Sequence, residues 1–333
     1  MFHRYDLYAI GNALVDLEYL VTDDFLQANG VEKGLMTLAE PETQAKLIAQ
    51  LEQTLTREKQ ASGGSAANSI IAAAAFGARC FYNGKVGNDA LGQFYRADLD
   101  AAGVFSPATA TDATAPTGTC VVMLTPDTER TMNTYLGISA DLGPSDVDAD
   151  AIRASRWLYI EGYLCTSDSA RAAVTNARAV ARAAGTALAM TFSDPAMVQY
   201  FKPQLTSMLA DGVDLLFCNE DEALGFTDCS NTDEAIQALR KVANAGIITI
   251  GPRGALVWDQ TTVQALDGLK VNAIDTLGAG DSFAGAVLYG LSQGWSIVDS
   301  AQLGIRTAAQ VVSQLGPRLP LAAYRELLSV SAS

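Results

Sequence analysis

From Arg156 onward, short apolar runs alternate with longer amphipathic stretches. Trp157 to Ile160, Ala187 to Phe192, Val213 to Cys218 and Gly246 to Gly251 read as buried strands. Between them, Ser169 to Ala184, a stretch opened by Asp194-Pro195, and Thr232 to Ala243 carry helical spacing. Strands separated by helices of this length predict βαβ units, hence a parallel sheet covered on both faces with right-handed crossovers. In the first half, Tyr5 to Ile10 and Ala78 to Val86 read as strands, and Ser65 to Phe76 and Ala90 to Ala101 as helices. Val15 to Val21 and Gly34 to Leu38 are shorter strand-like pieces. Thr119 to Thr125 and Arg130 to Leu136 flank Pro126-Asp127-Thr128-Glu129, a hairpin signature. No helix is read to cover these pieces. They predict a small accessory sheet, formed by about 15–39 and 116–137, lying as a lid on a single α/β domain of residues 1–333 with a mostly parallel sheet.

Composition narrows the chemistry. With 49% hydrophobic and 18% charged residues, the chain can bury a large core and is not a disordered polymer. A formal net charge of -15 repels nucleic acid and anionic lipid, so an anionic ligand needs local donors. No apolar run reaches membrane-spanning length, and the first residues lack the apolar core of a signal peptide. Five scattered cysteines without a CxxC pair suit reduced, buried thiols. The expected setting is cytoplasmic, with small molecules rather than nucleic acid or membrane as partners. The one histidine, His3, stands near the terminus, which excludes triads and multi-histidine metal sites. Catalysis must rest on carboxylates, backbone amides, Lys or Arg.

Five constellations could carry it. Asp275-Thr276-Leu277-Gly278-Ala279-Gly280-Asp281 follows strand-like Leu269 to Ile274 and opens an Ala/Gly-rich helix ending near Leu291. Glycines let the backbone approach a ligand, and the free amides and dipole of a helix start favour an anion. Asp281 beside that site can take a proton from a hydroxyl. Phosphoryl transfer needs such a base and such donors, together with a positioned alcohol. A tight turn with a capping Asp is the plainer alternative. A dinucleotide fingerprint fails, because Phe283 occupies the place of its third glycine. Gly63-Gly64-Ser65-Ala66-Ala67-Asn68 runs into a helix, and taken alone reads as an ordinary strand-to-helix turn; Asn12 and Asp16 follow the first strand, where ligands bind in open α/β sheets, a weak signal by itself. Asn219-Glu220-Asp221-Glu222 follows another strand and could hold hydrated Mg²⁺, or could be an ordinary acidic helix start. Gly251-Pro252-Arg253-Gly254 could place amides on a phosphate, or could be a hairpin turn. Each lies at the predicted end of a strand of one sheet, which makes one shared site more economical than five unrelated turns.

The joint pattern resembles the ribokinase/PfkB family of carbohydrate and nucleoside kinases over essentially the whole length. Gly63-Gly64-x-x-x-Asn68, with Gly77 and Gly87 beyond it, looks like the N-terminal signature. Asp275 to Asp281, with Phe283 and Gly285, looks like the C-terminal one, and Asn219-x-x-Glu222 matches the magnesium motif. Within the family the chain is most similar to adenosine kinases, through Gly11 to Asp16, Pro116 to Cys120 and Val213 to Glu220.

The resemblance implies a three-layer ribokinase-like fold and ATP-dependent phosphorylation of the 5′-hydroxyl of adenosine. Sugar phosphorylation and a non-catalytic nucleotide-binding module are the alternatives. It implies Asp281 as base and Gly278, Ala279 and Gly280 as anion hole. Asn12, Asp16, Gly63, Gly64 and Asn68 lie around the ribose, and Met132, Leu136 and Tyr163 by the purine. Thr276, Asn219, Gly251 and Gly254 lie near ATP. Asn219 and Glu222 would organise Mg²⁺, largely through water. It further implies Arg130 reaching the transferring phosphoryl group and Asp275 near a possible K⁺ site. Monomer and homodimer both stay open. Leu164 departs from the pattern, standing where a purine-stacking Phe is expected.

Overall fold

A computed structural model describes residues 4–107, 115–127 and 129–331. His3 and Thr128 lie outside the described residues. The strands are β1 (Tyr5–Ile10), β2 (Leu14–Leu20), β3 (Met36–Leu38), β4 (Lys59–Gly63), β5 (Cys80–Asn83), β6 (Val104–Phe105), β7 (Thr117–Leu124), β8 (Arg130–Gly137), β9 (Ser155–Ile160), β10 (Ala187–Thr191), β11 (Val213–Asn219), β12 (Ala243–Thr249), β13 (Gly254–Trp258) and β14 (Val263–Asp267).

Among the described residues, nine strands form the main sheet in the order β14-β13-β12-β11-β10-β9-β1-β5-β6. Pairing is parallel from β12 to β6, and β13 and β14 add an antiparallel edge. β1 is buried at every position, as an apolar run covered on both faces must be. The chain builds outward from β1 through β5 and β6, then returns to β9 and builds the other way. The topological switch point, where ligands bind beyond the carboxyl ends of strands, therefore lies between β1 and β9.

The remaining five strands form a second sheet in the order β3-β8-β7-β2-β4, with the expected hairpin as β7 and β8. Its composition and cover differ from expectation. β4 belongs to it, paired antiparallel to β2, although Lys-Gln-Ala-Ser-Gly has little strand character. The sheet is also covered by a helix, Pro41–Thr54, which buries Leu47 and Leu51 in the core shared with Val15, Leu17 and Val121. Gln44 of that helix, itself buried, donates to the carbonyls of Thr119 (3.1 Å) and Asn133 (2.8 Å), tying helix to sheet. A second difference concerns Leu269 to Ile274. This segment is irregular, with Leu269, Val271 and Ile274 exposed. Its alternation reflects side chains along an open cleft, not a strand in a core.

Candidate active site

Two glycines make the first loop possible. At Gly64 the backbone is left-handed (φ 96°), and a Cβ would stand 2.1 Å from the Asn12 carbonyl. At Gly63 a Cβ would stand 2.1 Å from the Asp16 carboxylate. The loop thus brings β4 against both residues that follow β1. Asp16 is buried on β2 and lines a cavity of about 870 Å³ between the two sheets. Burial pushes its carboxyl up to about 7, with Glu18 adding to the shift and Arg318 opposing it.

The helix that follows, Ser65–Phe76, delivers two side chains to the second motif. Ser65 Oγ donates to Asp281 Oδ1 at 2.6 Å, and Asn68 Nδ2 donates to Asp281 Oδ2 at 3.2 Å. Asp281 stands in the first turn of the Ala279–Ser292 helix, after a left-handed Gly278 (φ 69°) whose missing side chain admits Pro317. Gly280 has open space where a Cβ would be. The two helices approach closely because Gly285 packs on the Ser69 carbonyl, where a Cβ would come to 2.2 Å. Asp281 is half-buried, and desolvation raises its carboxyl to about 6. The bonds from Ser65 and Asn68 favour the ionised form and oppose that rise.

Glu161 lies beneath these loops and was missed as a site residue. It follows β9 at the switch point, is fully buried, and accepts from the amides of Asn12 (3.1 Å) and Ala66 (2.8 Å). Gly11 has no side chain because Glu161 Oε2 occupies that space. Burial lifts the Glu161 carboxyl to about 7 against these bonds. A Glu ending an apolar strand run was the one signal available in the sequence.

The cavity joins the other expected residues. Met132 and Leu136 lie with Leu14, Cys120, Val122 and Leu277 in an apolar cluster on its wall. Tyr163 also lines it and donates to Asp194 Oδ2 at 3.3 Å. Leu164 points away and is fully buried in the core with Phe192 and Met197. The expectation that residue 164 faces a purine is therefore corrected, because the short helix Gly162–Thr166 turns it inward. Asn219, Gly251, Gly254, Thr276 and Val271 line the cavity elsewhere. The Gly251–Arg253 turn is both a hairpin connection between β12 and β13 and part of this wall.

Asn219 and Glu222 form a reciprocal capping box. Glu222 accepts from the Asn219 amide (3.0 Å) and side chain (2.9 Å), and its own amide donates to Asn219 Oδ1 (2.8 Å). Glu222 is buried, and desolvation lifts its carboxyl to about 8, with Asp194, Asp221 and Asp281 adding repulsion. A cation would relieve that repulsion. No cluster of three metal-ligating side chains occurs among the described residues, so a Mg²⁺ here fits as a largely hydrated ion.

Arg130 and Asp275 form a different kind of centre. Asp275 is fully buried and ion-paired to Arg130 Nη2, and it also accepts from the amides of Leu277 (2.8 Å) and Gly316 (2.7 Å). Three donors, one guanidinium and two amides, thus converge on its carboxylate. Arg130 lines the cavity but is turned onto Asp275, with Nε and Nη1 buried and without a hydrogen-bond partner among the described residues.

Among the described residues no helix is long and apolar enough to cross a membrane. The chain matches the model of the pfkB family carbohydrate kinases over residues 36–323. It is similar to the adenosine kinase of Sinorhizobium meliloti, at 34% identity and a TM-score of 0.91, covering 98% of this chain and 99% of that one. A probable sugar kinase from Rhizobium etli shows 32% identity and a TM-score of 0.91 over the same shares. The adenosine kinase of Saccharomyces cerevisiae is 27% identical, covering 94% of this chain and 96% of its own. The chain belongs to the pfkB family of carbohydrate kinases and is a phosphotransferase.

Proposed function

We propose that this protein transfers the γ-phosphoryl group of ATP to the 5′-hydroxyl of adenosine, giving AMP and ADP. The observation that supports adenosine is the apolar wall of Leu14, Val122, Met132 and Leu136 beside the polar Asp16 and Asn68. A nucleoside presents hydroxyls on one side and a flat apolar base on the other. A free sugar has no group to bury against such a wall.

In this reading Asn12, Asp16, Gly64 and Asn68 hold the ribose, and Gly63 leaves room for Asp16. Asp281 accepts the 5′-hydroxyl proton as that oxygen attacks the γ-phosphorus and the bond to the β-phosphate oxygen breaks. The turn Gly278, Ala279 and Gly280 places helix-start amides toward the developing charge. Arg130 supplies positive charge from the second sheet. Thr276, Gly251 and Gly254 border the donor phosphates. Asn219 and Glu222 would hold hydrated Mg²⁺, which when bound screens phosphate charge. The second sheet acts as the lid that keeps water from competing with the acceptor.

The sugar-kinase reading is favoured by the equal structural similarity to the probable sugar kinase from Rhizobium etli. A panel of adenosine, inosine, ribose and fructose with ATP and Mg²⁺ separates the two. Adenosine is expected to give AMP at the highest kcat/KM. Turnover of free sugars alone overturns the assignment. Ligand binding with no phosphorylated product from any acceptor points to the non-catalytic module.

A further inference from the structure

The catalytic reading uses Asp281 and Asn68 but leaves Ser65 without a role. Ser65 is the first residue of its helix, directly after the left-handed Gly64. Its hydroxyl lies 2.6 Å from one Asp281 oxygen, while Asn68, one turn on, lies 3.2 Å from the other. Both oxygens of the proposed base are thus held by donors spaced i and i+3 on a single helix face. That face packs closely on the helix that carries Asp281. Ser69 donates back to the Ser65 carbonyl at 3.0 Å, and the two helices are locked where Gly285 meets the Ser69 carbonyl. The donors come from 216 and 213 residues away in sequence, so the arrangement is a product of the helix crossing, not of local turn geometry.

We infer that Ser65 is a positioning residue, whose hydroxyl fixes the orientation of the Asp281 carboxylate and keeps it ionised for proton acceptance. This rests on the reading of Asp281 as base. A carboxylate oxygen has two lone pairs, so a bond from Ser65 to Oδ1 leaves that atom able to receive an acceptor hydroxyl. Removing the hydroxyl frees the carboxylate to rotate and removes a bond that favours its charged form. A short hydrogen bond to a charged group is among the stronger ones a protein makes.

The test compares Ser65→Ala, Ser65→Thr and Asp281→Asn with the wild type in pH profiles of kcat and kcat/KM, using ATP, Mg²⁺ and the best acceptor of the panel. Ser65→Ala is expected to lower kcat by about ten- to a hundredfold, the scale of one hydrogen bond to a charged group. KM should change far less, and the acidic limb should move to higher pH. Ser65→Thr keeps the hydroxyl and should restore most of kcat and the position of the limb. Thermal melting of each variant guards against misfolding. If Ser65→Ala fails to fold, comparison of the acidic limb in Ser65→Thr and Ser65→Cys decides, since thiol is a far weaker donor than hydroxyl. An unmoved limb and wild-type kcat in the variants lacking the hydroxyl, with Asp281→Asn inactive, overturn the role of Ser65 and leave the base in place. Wild-type turnover by Asp281→Asn overturns the base itself.

Discussion

Two aspartates open and close one seven-residue stretch, and the fold treats them oppositely. Asp275 is fully buried and held by an arginine and two amides. Asp281 is half-buried, faces a cavity, and is held only by neutral donors, Ser65 and Asn68. A carboxylate paired with a guanidinium is a poor base, because the pair is lost on protonation. A desolvated carboxylate held by neutral donors keeps its basicity near the working pH. Asp275 joins the second sheet, through Arg130, to the loop that carries Asp281. In the proposed reading, one residue holds the loop while the other acts from it.

The largest effect should come from Asp281→Asn. Turnover should fall by about 10²- to 10⁴-fold, the range for a positioned base, with no loss of stability at neutral pH. Asp275→Ala should differ by costing stability as well. It strands the buried Arg130 guanidinium and should lower unfolding stability by about 3–5 kcal/mol, measured by urea denaturation. A double variant, Asp275→Ala with Arg130→Met, should recover much of that loss, which an unpaired buried charge requires and a local packing defect does not.

The pH dependence separates the two residues further. Burial raises Asp281 from 3.8 to about 6, so protonation of the proposed base should lower kcat below about pH 6. The stability term has the opposite sign. A raised carboxyl binds its proton more tightly in the folded state, so this term favours folding below about 4 and is lost as pH rises through about 6. Stability of Asp281→Asn relative to wild type should therefore increase across that window, as followed by denaturation at several pH values. The smallest effect on function is expected from Leu164→Phe. The residue faces the core, so acceptor preference should not change, and overpacking should cost about 1–3 kcal/mol of stability. A shift toward purine nucleosides would show that the 162–166 turn can present this position to the cavity.

Much of this was legible in the sequence. Apolar runs such as Tyr5–Ile10 and Val213–Cys218 announce strands buried on both faces, and they lie in the parallel sheet. The glycine-bearing stretches mark where the chain packs too closely for a side chain, and Gly63, Gly64 and Gly278 do meet Asp16, Asn12 and Pro317. Three features were hidden for physical reasons. β4 has no strand propensity of its own and is held by β2. The Pro41–Thr54 helix carries Leu47, Ile48 and Leu51 at helical spacing, but its docking on the second sheet through Gln44 is a tertiary contact that local pattern does not encode. The contacts of Ser65 and Glu161 link distant parts of the chain, and nothing in local patterning encodes which hydroxyl or carboxylate a crossing of helices or strands will bring into reach.

The central claim is that Asp281 takes a proton from an acceptor that other residues hold. It is tested most directly by measuring adenosine affinity of Asp281→Asn by calorimetry beside its single-turnover rate with saturating ATP and Mg²⁺. The account predicts affinity within about threefold of wild type and transfer slowed by at least about a hundredfold. Transfer at a rate near wild type, with adenosine bound as tightly, would contradict it.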